Sequence, residues 1–237
     1  MTGRKRSVVR PDGRAIVCLV TDRERRAAQS TTDDAACDAL VELAGDARRA
    51  GVDLIQVRER GLTDRALLGL VERMVAVTHG SETRVVVNER VDIALAAGAS
   101  GVHLPSSAPP ASRVRTMVSP SWVIGRSVHR PDEARRVEEE GGVDYLACGT
   151  VFVTPSKPGQ HPIGVAGLRA VISGVALPVL AIGGVDVTNA SSMAGAGAAG
   201  VAAIGLFADV PRDGEPDDLY RCIEALRDAF DKGRGLV

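Results

Sequence analysis

Eight short runs rich in β-branched and aliphatic residues recur along the chain a few tens of residues apart, and they restrict its fold more than any other feature. They cover residues 15–20, 53–57, 84–87, 101–104, 122–125, 143–147, 178–182 and 200–204. The segments between them have helical periodicity, clearest over 34–50, 63–77, 131–140 and 217–232, where Leu, Val and Ala recur at three- and four-residue steps. Strand followed by helix, repeated, implies parallel pairing. Hydrophobic residues make up 45% of the 237 and aromatics only 3%, so the core is built from Val, Ile, Leu and Ala, a mix that suits strands buried on both faces. The alternation alone admits an open doubly wound sheet as well as a closed barrel.

The polar residues separate the two. Every candidate strand ends in a polar or glycine-rich group: Thr21-Asp22, Gln56 to Arg60, Asn88-Glu89, His103, Ser127 with His129, Gly149 to Lys157, Gly183-Gly184, and Gly205. An open sheet gathers only the strand ends near its switch point, whereas a barrel brings all of them to one mouth. The expectation is therefore a single (β/α)8 barrel over residues 15–237. Residues 1–14 carry Arg4, Lys5, Arg6, Arg10 and Arg14 without the apolar core of a secretory signal, and they read as a flexible basic tail. Cys18, Cys37, Cys148 and Cys222 are scattered, with no C-x-x-C pair, which argues against a disulfide framework or zinc knuckle and for a reducing cytoplasm. No apolar run reaches membrane-spanning length. A net charge of -1 and so few aromatic rings give no reason to expect nucleic acid or an anionic membrane as partner. The expected ligand is small; the oligomeric state is left open, a homo-oligomer included.

The clearest anion signal is AIGGV at 181–185, where Gly183 and Gly184 close the seventh strand shortly before a helix near Thr188-Asn189. With Gly205 at the end of the eighth strand they resemble the phosphate cradle barrels build after strands seven and eight. Such glycines also relieve crowding in turns, but two adjacent loops favour phosphate. The stretch after the sixth strand offers Thr154 and Lys157 to an anion, or to solvent. In QVRER, Gln56, Arg58 and Arg60 alternate toward one side, so an amide and two cations face the mouth unless a carboxylate such as Asp22 or Glu89 pairs with the arginines. Asn88 and Ser127 stand at the third and fifth strand ends. His129 adjoins a helix start marked by Pro131, Asp132 and Glu133, where an imidazole serves as acid/base or simply as surface. His103 and His161 lack the spacing of a metal site, and no P-loop, G-x-G-x-x-G or G-x-S-x-G pattern occurs.

The ordered series LVTDR, QVRER, VNERVDIAL, GVHLP, IGRSVH, VDYLACGTVF, TPSK and LPVLAIGGV resembles the thiamine phosphate synthase and TenI superfamily from Leu19 to Phe207. That resemblance implies a barrel acting in thiamine biosynthesis on a small phosphorylated thiazole. Its synthases join a pyrimidine diphosphate to thiazole phosphate with Mg²⁺ held by aspartates, one at the third strand and one after the fourth; here those positions are Glu89 and Ala108. The TenI-type thiazole tautomerases are similar at Leu104-Pro-Ser106 and at Gly125 to His129. On these residues the expected activity is an isomerase: a metal-free and cofactor-free tautomerase in which His129 moves the proton. Gln56, Arg58, Arg60, Asn88, Ser127, Thr154 and Lys157 would bind substrate, and Gly183, Gly184 and Gly205 its phosphate. TPSK at 154–157 looks more like the synthase loop, so the alternative is the synthase, a transferase using Mg²⁺ on Glu89. A third reading is a non-catalytic thiazole phosphate binder.

Overall fold

Alternation of side chains along each strand divides the apolar residues into two layers, and the structure keeps them apart. The computed structural model describes residues 8–10, 12–26, 32–156, 159, 161–208 and 217–235. Eight parallel strands close on themselves in sequence order: β1 (Ile16–Val20), β2 (Leu54–Val57), β3 (Arg84–Asn88), β4 (Gly101–Leu104), β5 (Val123–Val128), β6 (Tyr145–Gly149), β7 (Val179–Ile182) and β8 (Gly200–Ala203). Closure comes from the β1–β8 ladder, with Ile16 opposite Gly200 and Leu19 opposite Ala203. Ile16, Cys18, Val20, Leu54, Val86, Val123, Tyr145 and Leu180 fill the interior, while Val17, Leu19, Ile55, Val57, Val85 and Val87 face outward into the layer shared with the helices.

The surrounding helices are α1 (Arg23–Arg26), α2 (Asp33–Arg49), α3 (Asp64–Thr78), α4 (Val91–Ala96), α5 (Ala111–Arg115), α6 (Pro131–Glu140), α7 (Gly164–Ile172), α8 (Ala190–Gly195), α9 (Gly205–Ala208) and α10 (Asp218–Gly233). Their ends follow local chemistry. Thr32 accepts from the Ala35 amide at 3.2 Å and Thr63 from the Ala66 amide at 3.3 Å, capping α2 and α3. Pro131 opens α6, and Gly141 at φ 70° ends it. No helix among the described residues is long and apolar enough to cross a membrane.

The strands predicted over 122–125 and 143–147 lie further along the chain, at Val123–Val128 and Tyr145–Gly149. Asp144 causes part of this shift: its carboxylate accepts from the Ile124 amide at 2.7 Å and pairs with Arg115, so it braces the loop before β6 instead of entering the ladder. The ladder then continues through Ser127 opposite Ala147 and Val128 opposite Cys148, which carries Ser127 into the strand itself.

Part of the segment expected to be a free tail is docked below the barrel. Val8 is buried, Arg10 pairs with Asp53 at 2.8 Å, and Arg14 pairs with Glu224 of α10 at 3.2 Å; residues 1–7 and 11 lie outside the described residues. Asp53 anchors this floor, since it also accepts from the Val17 amide at 2.8 Å and from Arg227, which is 3% exposed, at 3.2 Å. Removing the carboxylate takes from the buried guanidinium its nearer ion partner and leaves only Glu224, at 3.6 Å. Asp53→Ala should therefore cost about 3–5 kcal/mol in urea unfolding, while ligand binding at the opposite end of the strands, measured below the melting transition, stays at the wild-type level.

Candidate functional site

Two hollows open at the carboxyl ends of the strands. The larger, about 620 Å³, lies over β6, β7 and β8, and its lining includes Thr150, Thr154, Gly183, Gly184, Gly205 and Arg25. Gly183 and Gly184 both have positive φ, 102° and 65°. A Cβ on Gly183 would stand 2.6 Å from the Thr150 side chain, and one on Gly184 the same distance from the Val153 carbonyl, so this turn can pass close under the loop of 150–154 only as glycine. The turn is then held by Asn189, whose side-chain amide donates to the Gly184 carbonyl at 2.7 Å, and by Asp186, which accepts from the amides of Thr188 and Asn189. These are the glycines singled out in the sequence, and Thr154 joins them; Lys157 lies outside the described residues.

The second hollow, about 270 Å³, lies over β2 and β3 and is lined by Arg60, Asn88, Glu89 and Arg90 among others. Gln56, 5% exposed, donates to the Asn88 side chain at 3.0 Å, which fixes both amides at neighbouring strand ends. Arg58 follows at the next inward position. Neither Arg58 nor Arg60 forms an ion pair with a described residue: Asp22 accepts from the Arg25 amide and Glu59 from the Arg23 amide instead. Burial, and then the charge of Arg60, push the Arg58 guanidinium's pKa below its ordinary value against the pull of Asp22, Glu59 and Glu89. A half-buried cation next to a second one is a site that an anion stabilises. Glu89 stands at φ 65°, with its amide donating to the His103 carbonyl at 2.9 Å.

Between the hollows lies a polar chain that residue spacing did not reveal. His103 is 2% exposed; its Nε2 is 2.9 Å from Ser127 Oγ and its Nδ1 is 3.0 Å from the hydroxyl of Tyr145. Burial, reinforced by the charge of Arg126, pushes the His103 pKa down to about 4, so the imidazole is neutral at physiological pH. His129 is placed differently from expectation. Its ring is 41% exposed, with Nδ1 3.5 Å from Glu133 Oε2 on the first turn of α6; like Arg58 and Ser127, it is not among the residues lining either hollow. Arg25 was also missed: it comes from a helical turn after β1, not from a strand end. Its guanidinium nitrogens lie 3.0 and 3.2 Å from where a Gly205 Cβ would stand.

Fold and site together define a (β/α)8 barrel with two separate hollows on two halves of one mouth, one lined by glycines and one by charged side chains. The model of the thiamine monophosphate synthase family, TMP-TENI, matches residues 28–207, and the chain belongs to that family. It is 37% identical to the thiamine-phosphate synthase of Roseiflexus castenholzii over 202 residues, 85% of this chain and 84% of the relative. The thiamine-phosphate synthase of Caldanaerobacter subterraneus is 35% identical over 197 residues, covering 83% and 90%. Among solved structures, the thiamine phosphate pyrophosphorylase of Pyrococcus furiosus superposes with a TM-score of 0.75 at 28% identity, covering 97% of this chain and 99% of the other.

These relatives overturn the expectation of a tautomerase. They are named as synthases, which are transferases and not isomerases, and the role given to His129 as proton carrier falls with that assignment. The geometry agrees to the extent that His129 faces Glu133 and solvent.

Proposed function

We propose that this protein is a thiamine phosphate synthase, joining hydroxymethylpyrimidine diphosphate to thiazole phosphate. The observation that carries this reading is the division of the mouth: Arg58 and Arg60, which form no ion pair among the described residues, stand beside the Gln56–Asn88 amide pair at the ends of β2 and β3, and a glycine-lined cavity lies over β6 to β8. Two phosphorylated substrates need two anion sites facing each other across the barrel axis. Thiazole phosphate would lie over β6 to β8 with its phosphate against Gly183, Gly184 and Gly205, with Thr154 beside it. The diphosphate would lie over the other half, against Arg58, Arg60, Asn88 and Ser127.

In the reaction the thiazole ring nitrogen forms a bond to the pyrimidine's methylene carbon as the bond from that carbon to the diphosphate breaks. The attacking nitrogen carries a lone pair and no proton, so the step needs no general base. Holding the two rings face to face and receiving the charge that gathers on the departing diphosphate are the protein's two tasks. Gln56 and Asn88 orient each other, and Arg58 and Arg60 receive the charge.

The donor set suits a sparsely held Mg²⁺. Glu89 supplies one carboxylate, and at the position after β4 stands Ala108, whose carbonyl accepts from Arg126 at 2.6 Å. Among the described residues no three His, Cys, Asp or Glu side chains form a cage. Mg²⁺ is commonly held by one or two carboxylates together with substrate phosphates and water, so Glu89 would hold it with the diphosphate. When bound it neutralises phosphate charge.

The test is incubation of the purified protein with both substrates, with product followed by chromatography. Thiamine phosphate should form only with both substrates and Mg²⁺ present and should cease with EDTA; binding of both substrates without product would sink the assignment. The two halves are separable by kinetics. Arg58→Ala should lower kcat/KM for the pyrimidine diphosphate by about 10²–10³-fold, the usual scale for losing a donor to developing charge, with KM for thiazole phosphate unchanged. Gly183→Ala should do the reverse, raising KM for thiazole phosphate about tenfold or more, because a left-handed backbone costs a non-glycine residue about 1–3 kcal/mol.

A further inference from the structure

Within the apolar interior of the barrel, below the Gln56–Asn88 amide pair, Tyr145 and His103 form a buried polar pair whose bonding runs in one direction. Tyr145 lies among Ile16, Cys18, Val20, Leu54, Val86 and Leu180, 1% exposed. Its ring occupies space vacated by a glycine: a Cβ on Gly125 would stand 2.1 Å from the ring carbon that bears the hydroxyl. Gly125 and Tyr145 are opposite each other in the β5–β6 ladder, as are His103 and Gly125 in the β4–β5 ladder, so the phenol is directed across β5 at the imidazole.

Among the described residues the Tyr145 hydroxyl has one hydrogen-bond partner, His103 Nδ1. A phenol hydrogen in apolar surroundings needs an acceptor. If Nδ1 carried the ring proton, the imidazole would donate to the phenol oxygen and the phenol hydrogen would face aliphatic carbon. With Nδ1 bare, Tyr145 donates to it and both groups are satisfied. The single proton of the neutral ring then sits on Nε2 and is donated to Ser127 Oγ. Ser127 accepts there, so its own hydrogen points elsewhere; it is partly exposed and stands two residues beyond Gly125, at the inward position nearest the carboxyl end of β5, so the open side of its hydroxyl is toward the mouth.

We infer that Tyr145 and His103 are positioning residues that hold Ser127 with its hydroxyl hydrogen directed into the mouth, as a fixed donor to a phosphate oxygen of the pyrimidine diphosphate. The inference rests on the proposed synthase activity for the identity of the acceptor, and on hydrogen-bond geometry alone for the direction of the relay. A serine hydroxyl ordinarily rotates between donating and accepting. One locked as donor is ready for an anion before it arrives, which is what stabilisation of a departing diphosphate requires. The chain also explains why an imidazole stands at 103: it passes on the polarity set by a phenol and cannot charge while it remains buried.

Two measurements test this. The first is ¹⁵N NMR of protein labelled at histidine. Of the four histidines only His103 is buried, and its ring signals, assigned by their loss in His103→Gln, should stay constant through neutral pH. Its Nε2 should carry the proton and its Nδ1 should be bare; a ring protonated on Nδ1 would overturn the inference. The second is kinetic. Tyr145→Phe keeps the ring that packs against Gly125 and removes only the donor, so kcat should fall about tenfold, less than the 10²–10³ of losing a donor outright, with KM for thiazole phosphate unchanged.

Because the relay acts through Ser127, Tyr145→Phe combined with Ser127→Ala should be no slower than Ser127→Ala alone; losses that multiply would mean a packing role and reject the relay. His103→Gln, which keeps an N–H near the Nε2 position, should retain more activity than His103→Leu, and equal activities would count against the relay. If the wild-type protein forms no thiamine phosphate, the synthase reading fails, but the ¹⁵N result still decides the direction of the relay.

Discussion

Closure of the parallel sheet is the constraint on which the rest depends. The ladder between β1 and β8 joins residues 16–19 to 200–203, and once it forms every strand must deliver its carboxyl end to the same rim. Inward positions along a strand then form a vertical series. On β2, Leu54 is packed in the apolar interior, Gln56 is buried in a polar bond above it, and Arg58 is half-buried at the mouth. On β5 the same step of two leads from Val123 through Gly125 to Ser127. The change from core to site is thus written along single strands.

The two halves of the mouth are built by different means. Over β6 to β8 the backbone itself approaches the ligand space, made possible by two glycines at positive φ under the loop of 150–154. Over β2 and β3 the polar groups are side chains: Arg58 and Arg60, with Asp22 and Glu59 engaged by backbone amides and Glu89 beside them. Between them, the loop after β4 is folded around Arg126. That guanidinium, 6% exposed, donates to the carbonyls of Ser106, Ala108 and Pro109. A buried cation wrapped in carbonyls makes this stretch a structural brace with its own positive charge, a poor neighbour for a divalent metal; in the proposed synthase, Mg²⁺ would rest on Glu89 and the substrate.

The barrel was legible because its signals are periodic and repeated: eight apolar runs, helices capped by Thr32, Thr63 and Pro131, and glycines after β7. Gln56, Asn88, Thr154 and Gly183 could be placed because a residue just past a parallel strand has nowhere to go but the rim. What stayed hidden depends on contacts between elements distant in sequence. The shift of β6 needed the reach of Asp144 to Ile124, and Arg25 needed the packing of a short helical turn against Gly205. The activity was misread for a related reason. GRSVH at 125–129 drew attention to His129, but whether an imidazole faces a substrate or its own helix is a matter of rotamer and neighbour, and here Glu133 is the neighbour.

The buried polar chain shows how far function reaches into the core. An interior built for stability alone would place aliphatic side chains where Tyr145 and His103 stand, since a satisfied buried hydrogen bond adds only about 0.5–1.5 kcal/mol and an unsatisfied one costs more. Gly125 gives up its own side chain to admit the phenol, a further loss of apolar packing in the same layer. Neither choice improves the core, and both become intelligible only when followed to the end of the chain at Ser127. The floor shows the opposite arrangement: Asp53, Arg10 and Arg227 are held together far from the rim, where their ion pairs brace the barrel without touching a ligand. Polar groups at the two ends of the same strands therefore answer to different demands, stability below and orientation above, with the aliphatic interior insulating one from the other.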